Sequence, residues 1–169
     1  MRFLSPTYGV CATTEDVVNK VIERVMSNPD AEWIVAIGSD SQNKQNYTKF
    51  CSAILVLEKG RGGTYFYSVH SEDKIKVLQE RMLTEAGMSI ELGKEVIEIL
   101  EDKFVNEVFD FTKYNMNLEI HCDLGNNGKS RDSIKAAIGW ITSEFGSLVT
   151  TKIKPNSPAA SYIADKYTK

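Results

Sequence analysis

The segment from Trp33 to Ile37 is apolar at every position, which predicts a β-strand buried on both faces. A strand of this kind belongs in the interior of a sheet, and it leads through Gly38 and Ser39 directly into Asp40. A carboxylate at the end of a buried strand is costly unless it is paired or exposed. We therefore interpret Asp40 either as the first residue of a turn or as a position against which a cation binds.

The other periodic segments predict further strands and helices on either side of this strand. Apolar residues three and four apart predict helices, and runs of β-formers predict strands. The expected strands, numbered one to five, are 33–39, 50–60, 64–69, 117–122 and 148–153, and the expected helices are 13–28, 71–109, 128–145 and a short one in "SPAASYIADKYTK". A helix over 71–109 would measure about 55 Å. That length exceeds a domain of this size, so we expect a break near Gly87-Met88.

The connections between the predicted strands bring two carboxylates together. Short links favour an antiparallel meander of the first three strands, and the long helix then acts as a crossover to a strand parallel to the first. If the fourth strand lies beside the first, Asp40 and Asp123 meet at one edge of the sheet. Two adjacent carboxylates repel each other, which raises their pKa values. Mg²⁺ or Mn²⁺, which prefer hard oxygen ligands, would relieve that repulsion.

Both aspartates also have an ordinary structural interpretation. Asp is a favoured turn residue, so "SDSQNKQN" could be a plain polar hairpin. Likewise, "DLGNNGKS" could be a loop that caps the following helix. His121 shares a strand face with Asp123 and could either shuttle a proton or be a buried histidine with a bonded ring nitrogen.

Composition limits the class of protein and its partners. A chain of 169 residues suits a single domain over 1–169 with a sizeable core. We expect no membrane span and no secretory signal, because no apolar run is long enough. Three cysteines without metal-ligand spacing indicate reduced thiols in the cytoplasm. The net charge of −3 argues against wrapping a duplex by bulk electrostatics, so a nucleic-acid role would need local cations or bound metal.

Four separated motifs resemble the bacterial ribonuclease-H-like YkuK family, and the resemblance covers nearly the whole chain. They are "IGSDSQ", "GRGGTYFY", "IHCDLGNNGKSRD" and "AASYIADKYTK". The order of elements also resembles the ribonuclease H fold. The resemblance implies an α/β, ribonuclease H-like fold with a five-stranded mixed sheet in the order three-two-one-four-five, with helices on its faces.

The resemblance also implies a set of metal-binding carboxylates. Nucleases of this kind take acids from strand one, the first long helix, strand four and the last helix. Asp40, Asp123 and Asp165 match three of these positions. For the helix position, "MSIELGKEV" favours Glu91, and Glu85 is the alternative. Together with Mg²⁺ or Mn²⁺, these acids would hydrolyse phosphodiester bonds in nucleic acid.

Three functions stay open from the sequence. The first is a metal-dependent nuclease, and the second is a nucleic-acid-binding or regulatory module on the same fold without turnover. The third is a binder of a small-molecule phosphate or nucleotide that uses "GNNGKS", which lacks the full spacing of a phosphate loop. Ser41-Gln42 stand where cellular ribonucleases H commonly have a Gly after the strand-one Asp. Cleavage of an RNA–DNA hybrid is therefore not implied, and the substrate could be RNA or DNA.

Overall fold

The computed structural model describes residues 1–124 and 131–169. In these ranges the strands are β1 (Phe3–Ser5), β2 (Gly9–Cys11), β3 (Glu32–Asn43), β4 (Tyr47–Glu58), β5 (Gly62–Asp73), β6 (Asn115–Cys122) and β7 (Thr150–Ile153). The α-helices are α1 (Thr14–Ser27), α2 (Leu78–Val105), α3 (Arg131–Phe145) and α4 (Asp165–Thr168). A 3-10 turn (Phe111–Lys113) precedes β6, and a π-helical stretch (Ala159–Ala164) runs into α4. No helix in the described ranges is both long enough and apolar enough to cross a membrane.

The strands form a mixed sheet in the order β2-β1-β5-β4-β3-β6-β7. The prediction of five strands is wrong, because β1 and β2 extend the sheet beyond β5. Each of these two strands has only three residues, which is too short for a period-two pattern to show in the sequence. The five segments that the sequence predicts as strands lie side by side as β5-β4-β3-β6-β7. β6 runs parallel to β3, and β7 runs parallel to β6.

Helix α2 is continuous, so the expected break near Gly87-Met88 is wrong. The helix has 28 residues, which corresponds to about 42 Å. It is shorter than predicted because β5 continues to Asp73 and the helix begins only at Leu78. Gly87 lies where the ring of Trp140 from α3 approaches, and a Cβ there would be 3.0 Å from that ring. The glycine thus allows α2 and α3 to pack closely, at a cost of about 1 kcal/mol in helix propensity.

The two faces of β3 are covered by different elements. Trp33, Val35 and Ile37 join the main core, to which α1, α2 and α3 contribute. The intervening Ala36 packs instead with Ala159 of the π-helical stretch. Side chains along a strand alternate between faces, so β3 has helical cover on both sides, as its apolar sequence predicts. We call the cover on the second face, residues 159–168, the C-terminal segment.

Candidate functional site

Asp40 lies inside a strand and not at its end. β3 continues to Asn43, and the turn to β4 comprises residues 44–46, so Asp40 is not the first residue of that turn. Its backbone pairs with Cys51 of β4. The side chain is 8% exposed on the face of the C-terminal segment, where the hydroxyl of Thr168 donates a hydrogen bond to Oδ2 at 2.7 Å.

Asp123 follows β6 directly and lies next to Asp40. The parallel register pairs Ser39 with Cys122, so the two aspartates are the next residues on neighbouring strands. Oδ1 of Asp123 accepts a hydrogen bond from the hydroxyl of Ser161 at 2.9 Å. The ammonium of Lys154 lies 3.1 Å from the same oxygen. The predicted crossover therefore places the two aspartates side by side on neighbouring strands.

The C-terminal segment packs against β3 because Gly38 has no side chain. A Cβ on Gly38 would lie 2.6 Å from the backbone nitrogen of Ala160. The backbone N–H of Ala159 donates to Nδ1 of His121 at 3.1 Å, which ties the start of the segment to β6. Asp165 then begins α4, one turn before Thr168, and its Oδ2 lies 2.5 Å from the ammonium of Lys169.

His121 has a structural role in this arrangement. Its Nε2 lies 2.7 Å from Oε2 of Glu119, so both ring nitrogens have partners. Burial lowers the pKa of His121, and the neutral ring can accept from Ala159 through Nδ1 while donating to Glu119. This geometry supports a buried histidine that anchors the C-terminal segment, and it gives no support to a proton shuttle.

Glu85 reaches the site from the opposite face of the sheet. It lies on α2, is 8% exposed and accepts a hydrogen bond at 2.5 Å from the hydroxyl of Ser41, the residue after Asp40. Glu85 and Asp123 line the same small pocket between α2 and β6. Burial raises the pKa of Glu85 to about 8, and the charges of Asp40 and Asp123 act in the same direction.

The structure does not bring Glu91 to the aspartates. Its side chain is 75% exposed and lies 3.9 Å from the ammonium of Lys94. The helical periodicity of α2 places the two glutamates on different sides of the helix. Glu85 lies on the stripe of buried residues that includes Ala86, Ser89 and Ile90, whereas Glu91 shares the exposed side with Glu95 and Glu98. The family-like motif favoured Glu91, but helical periodicity favours Glu85.

The charges of the aspartates act on one another. Burial, together with the charges of Asp123 and Asp165, raises the pKa of Asp40 to about 6 despite the opposing hydrogen bond from Thr168. In the part of the chain that the structure describes, no three His, Cys, Asp or Glu side chains are already arranged around a metal position. The four acids of the site are Asp40, Glu85, Asp123 and Asp165. They form hydrogen bonds with hydroxyl groups and ion pairs with lysine ammonium groups instead. The donor set of four carboxylates nevertheless fits Mg²⁺ or Mn²⁺, because it is all hard oxygen with excess negative charge.

The segment "GNNGKS" lies at 125–130, outside the described residues. The hypothesis of a nucleotide-binding loop therefore stays a prediction.

Substitution of Gly38 by Ala is expected to loosen the C-terminal segment. The added Cβ would meet the backbone of Ala160, so the segment must shift or β3 must distort. We expect a loss of about 1–3 kcal/mol in the free energy of unfolding and faster proteolysis near Tyr162. Denaturant unfolding and limited proteolysis with mass spectrometry measure both. Gly139→Ala is the control, since a Cβ there meets nothing within 4 Å; equal effects of the two substitutions would contradict the close packing at Gly38.

Comparison with known proteins identifies similar sequences over most of the chain. A family model described as Ribonuclease H-like matches residues 16–169. The uncharacterized protein YkuK of Bacillus subtilis (strain 168) is 31% identical over 160 residues, which cover 93% of this chain and 91% of that protein. Among solved structures, RNase H1 from the halophilic archaeon Halobacterium salinarum NRC-1 aligns with 75% of this chain and 89% of its own, at 13% identity and a TM-score of 0.34.

Proposed function

Because the chain belongs to the ribonuclease H-like family, we propose that it is a metal-dependent nuclease that hydrolyses phosphodiester bonds in RNA or DNA, acting in the cytoplasm. The observation that carries this proposal is that acids from separate elements lie near enough for their charges to raise the pKa values of Asp40 and Glu85. Asp40 comes from β3, Asp123 follows β6, Asp165 begins α4, and Glu85 reaches across from α2. Two of these acids, Asp40 and Glu85, are buried, and placing buried carboxylates next to other carboxylates is costly unless they serve a site.

These four residues would hold Mg²⁺ or Mn²⁺, with Glu85 in the position for which the sequence favoured Glu91. Bound divalent cations supply an activated water and stabilise the departing oxygen of the phosphodiester. Asp40 is the buried aspartate on which the charges of Asp123 and Asp165 both act, so its carboxylate would be a ligand of the bound cation. Ser41, Ser161 and Thr168 orient Glu85, Asp123 and Asp40, respectively, through their hydroxyl groups.

The charge of the site predicts strict metal dependence. Four carboxylates in a protein of net charge −3 repel a phosphate backbone in the absence of metal. A chelator should therefore abolish cleavage and not merely slow it.

A non-catalytic nucleic-acid-binding module is the second candidate function. One observation favours it: Lys154 and Lys169 already form ion pairs with Asp123 and Asp165. Such pairs could neutralise the acids in a protein that never binds metal. The two candidates differ in metal binding, because only the nuclease requires the carboxylates to exchange these partners for a divalent cation.

A substrate screen tests the proposal. The purified protein is incubated with labelled single-stranded, duplex, hybrid and branched RNA and DNA, in MnCl₂ or MgCl₂ and in EDTA. Cleavage that requires the metal and is lost in Asp40→Asn supports the nuclease. Binding of a substrate without cleavage, in any metal, would favour the second candidate.

A further inference from the structure

Lys154 lies beside Asp123 because of the sheet register and not through a chance surface contact. β7 is parallel to β6, and Ile153 pairs with Cys122, so Lys154 and Asp123 are the next residues on neighbouring strands. The ammonium is 3.1 Å from Oδ1 of Asp123. The lysine side chain is 54% exposed, whereas the side chain of Asp123 is only 17% exposed. The cation thus lies at the mouth of the acidic site and contacts a carboxylate that is largely buried.

The electrostatic influence of this ammonium extends beyond one carboxylate. The hydrogen bond with Asp123 raises the pKa of Lys154, and the charges of Asp165 and Asp40 raise it further. The ammonium of Lys154 therefore lies within the field of all three aspartates. Lys166, in contrast, is directed to the ring of Tyr167, with its Nζ 5.3 Å from the ring centre.

We propose that Lys154 is an internal counter-cation of the acidic site, bound to Asp123 until a divalent metal ion displaces it. The inference rests on the proposed function, because it concerns the same carboxylates. An ammonium and a metal ion compete for the same oxygen and repel each other at close range. The measured affinity for metal then includes the work of displacing the lysine. Once displaced, the half-exposed Lys154 is free to contact a phosphate oxygen of the substrate.

This role predicts effects of opposite sign on metal and substrate. Removal of the charge in Lys154→Met should tighten Mn²⁺ binding by about 3- to 10-fold, since the competitor is gone. The same substitution should raise KM for the nucleic acid, since a phosphate contact is lost. If Lys154 is a surface lysine without this role, Lys154→Met should change neither quantity. If Lys154 assists metal binding, the substitution should weaken the affinity for Mn²⁺.

The experiment is a calorimetric titration with MnCl₂ of the wild-type protein, Lys154→Met and the control Lys166→Met, which makes the same charge change on α4. Tighter binding in Lys154→Met alone supports the inference, and unchanged or weaker binding overturns it.

A double-mutant cycle of Lys154→Met with Asp123→Asn, measured by denaturant unfolding in EDTA, provides a metal-free test. Absence of coupling between these two substitutions overturns the inference in every case. If the wild-type protein binds no Mn²⁺, the proposed function fails, and the cycle alone then decides whether Lys154 neutralises the site.

Discussion

Substitution of Asp40 by Asn is expected to abolish Mn²⁺-dependent cleavage and weaken Mn²⁺ binding while the protein stays folded. Asp40 lies on β3 with Asp123 on the neighbouring strand and within the field of Asp165. Loss of its charge therefore affects every cation that the site could hold. Residues that only orient metal ligands cost about 10- to 100-fold when mutated, so a direct ligand should cost at least about 100-fold in cleavage rate. Initial rates with and without EDTA measure the effect.

The same substitution separates function from stability. Burial raises the pKa of Asp40 to about 6, so at pH 8 the folded protein contains an ionised carboxylate in an unfavourable environment. Asn removes that charge, and its side-chain oxygen can still accept the hydrogen bond from Thr168. We expect the melting temperature of the metal-free protein at pH 8 to stay equal or rise by a few degrees. Asp73→Asn, at the exposed end of β5, is the matched control. Cleavage by Asp40→Asn at the wild-type rate would exclude Asp40 from the site, and unfolding of the variant would show that Asp40 serves the fold.

The sequence predicts the centre of the sheet well, because its signals there are local. The apolar run into Asp40 predicts a doubly covered strand, and the meander followed by a crossover places Asp123 beside it. The edges are harder to predict. β1 and β2 pair through only three residues each. Gly87 predicts a helix break from the sequence alone, whereas the structure shows that it makes room for the ring of Trp140.

The partners of the acids could not be predicted from periodicity. Thr168 contacts Asp40 across 128 positions of the chain, and Ser161 contacts Asp123 across 38. Such contacts depend on how the C-terminal segment lies over Gly38. The choice between Glu85 and Glu91, in contrast, can be made from the sequence, because helical periodicity predicts the buried side of α2. The motif resemblance favours Glu91, which the structure places on the exposed side of that helix.

The paired substitutions Glu85→Gln and Glu91→Gln test which glutamate belongs to the site. Glu85 is buried against Ser41 within the field of Asp40, and Glu91 is 75% exposed. Glu85→Gln should lower metal-dependent cleavage by at least about 10-fold and weaken Mn²⁺ binding, whereas Glu91→Gln should stay within twofold of the wild-type protein. The two variants carry the same chemical change on the same helix, so each controls for the other. The reverse result would restore Glu91 as the helix acid.

Glu85 should also dominate the pH dependence of stability in the metal-free protein. The pKa of Glu85 is about 8 in the folded protein and 4.5 for the free side chain. Between these values the folded state keeps a proton that the unfolded state has released, so the free energy of unfolding falls as pH rises. Asp40 contributes in the same direction, but only up to its pKa of about 6. From pH 6 to pH 8 we therefore expect a loss of roughly 1–3 kcal/mol, measured by denaturant unfolding in EDTA. Glu85→Gln should flatten this slope and Glu91→Gln should preserve it; a slope that survives Glu85→Gln would show that Glu85 is not the group that causes it.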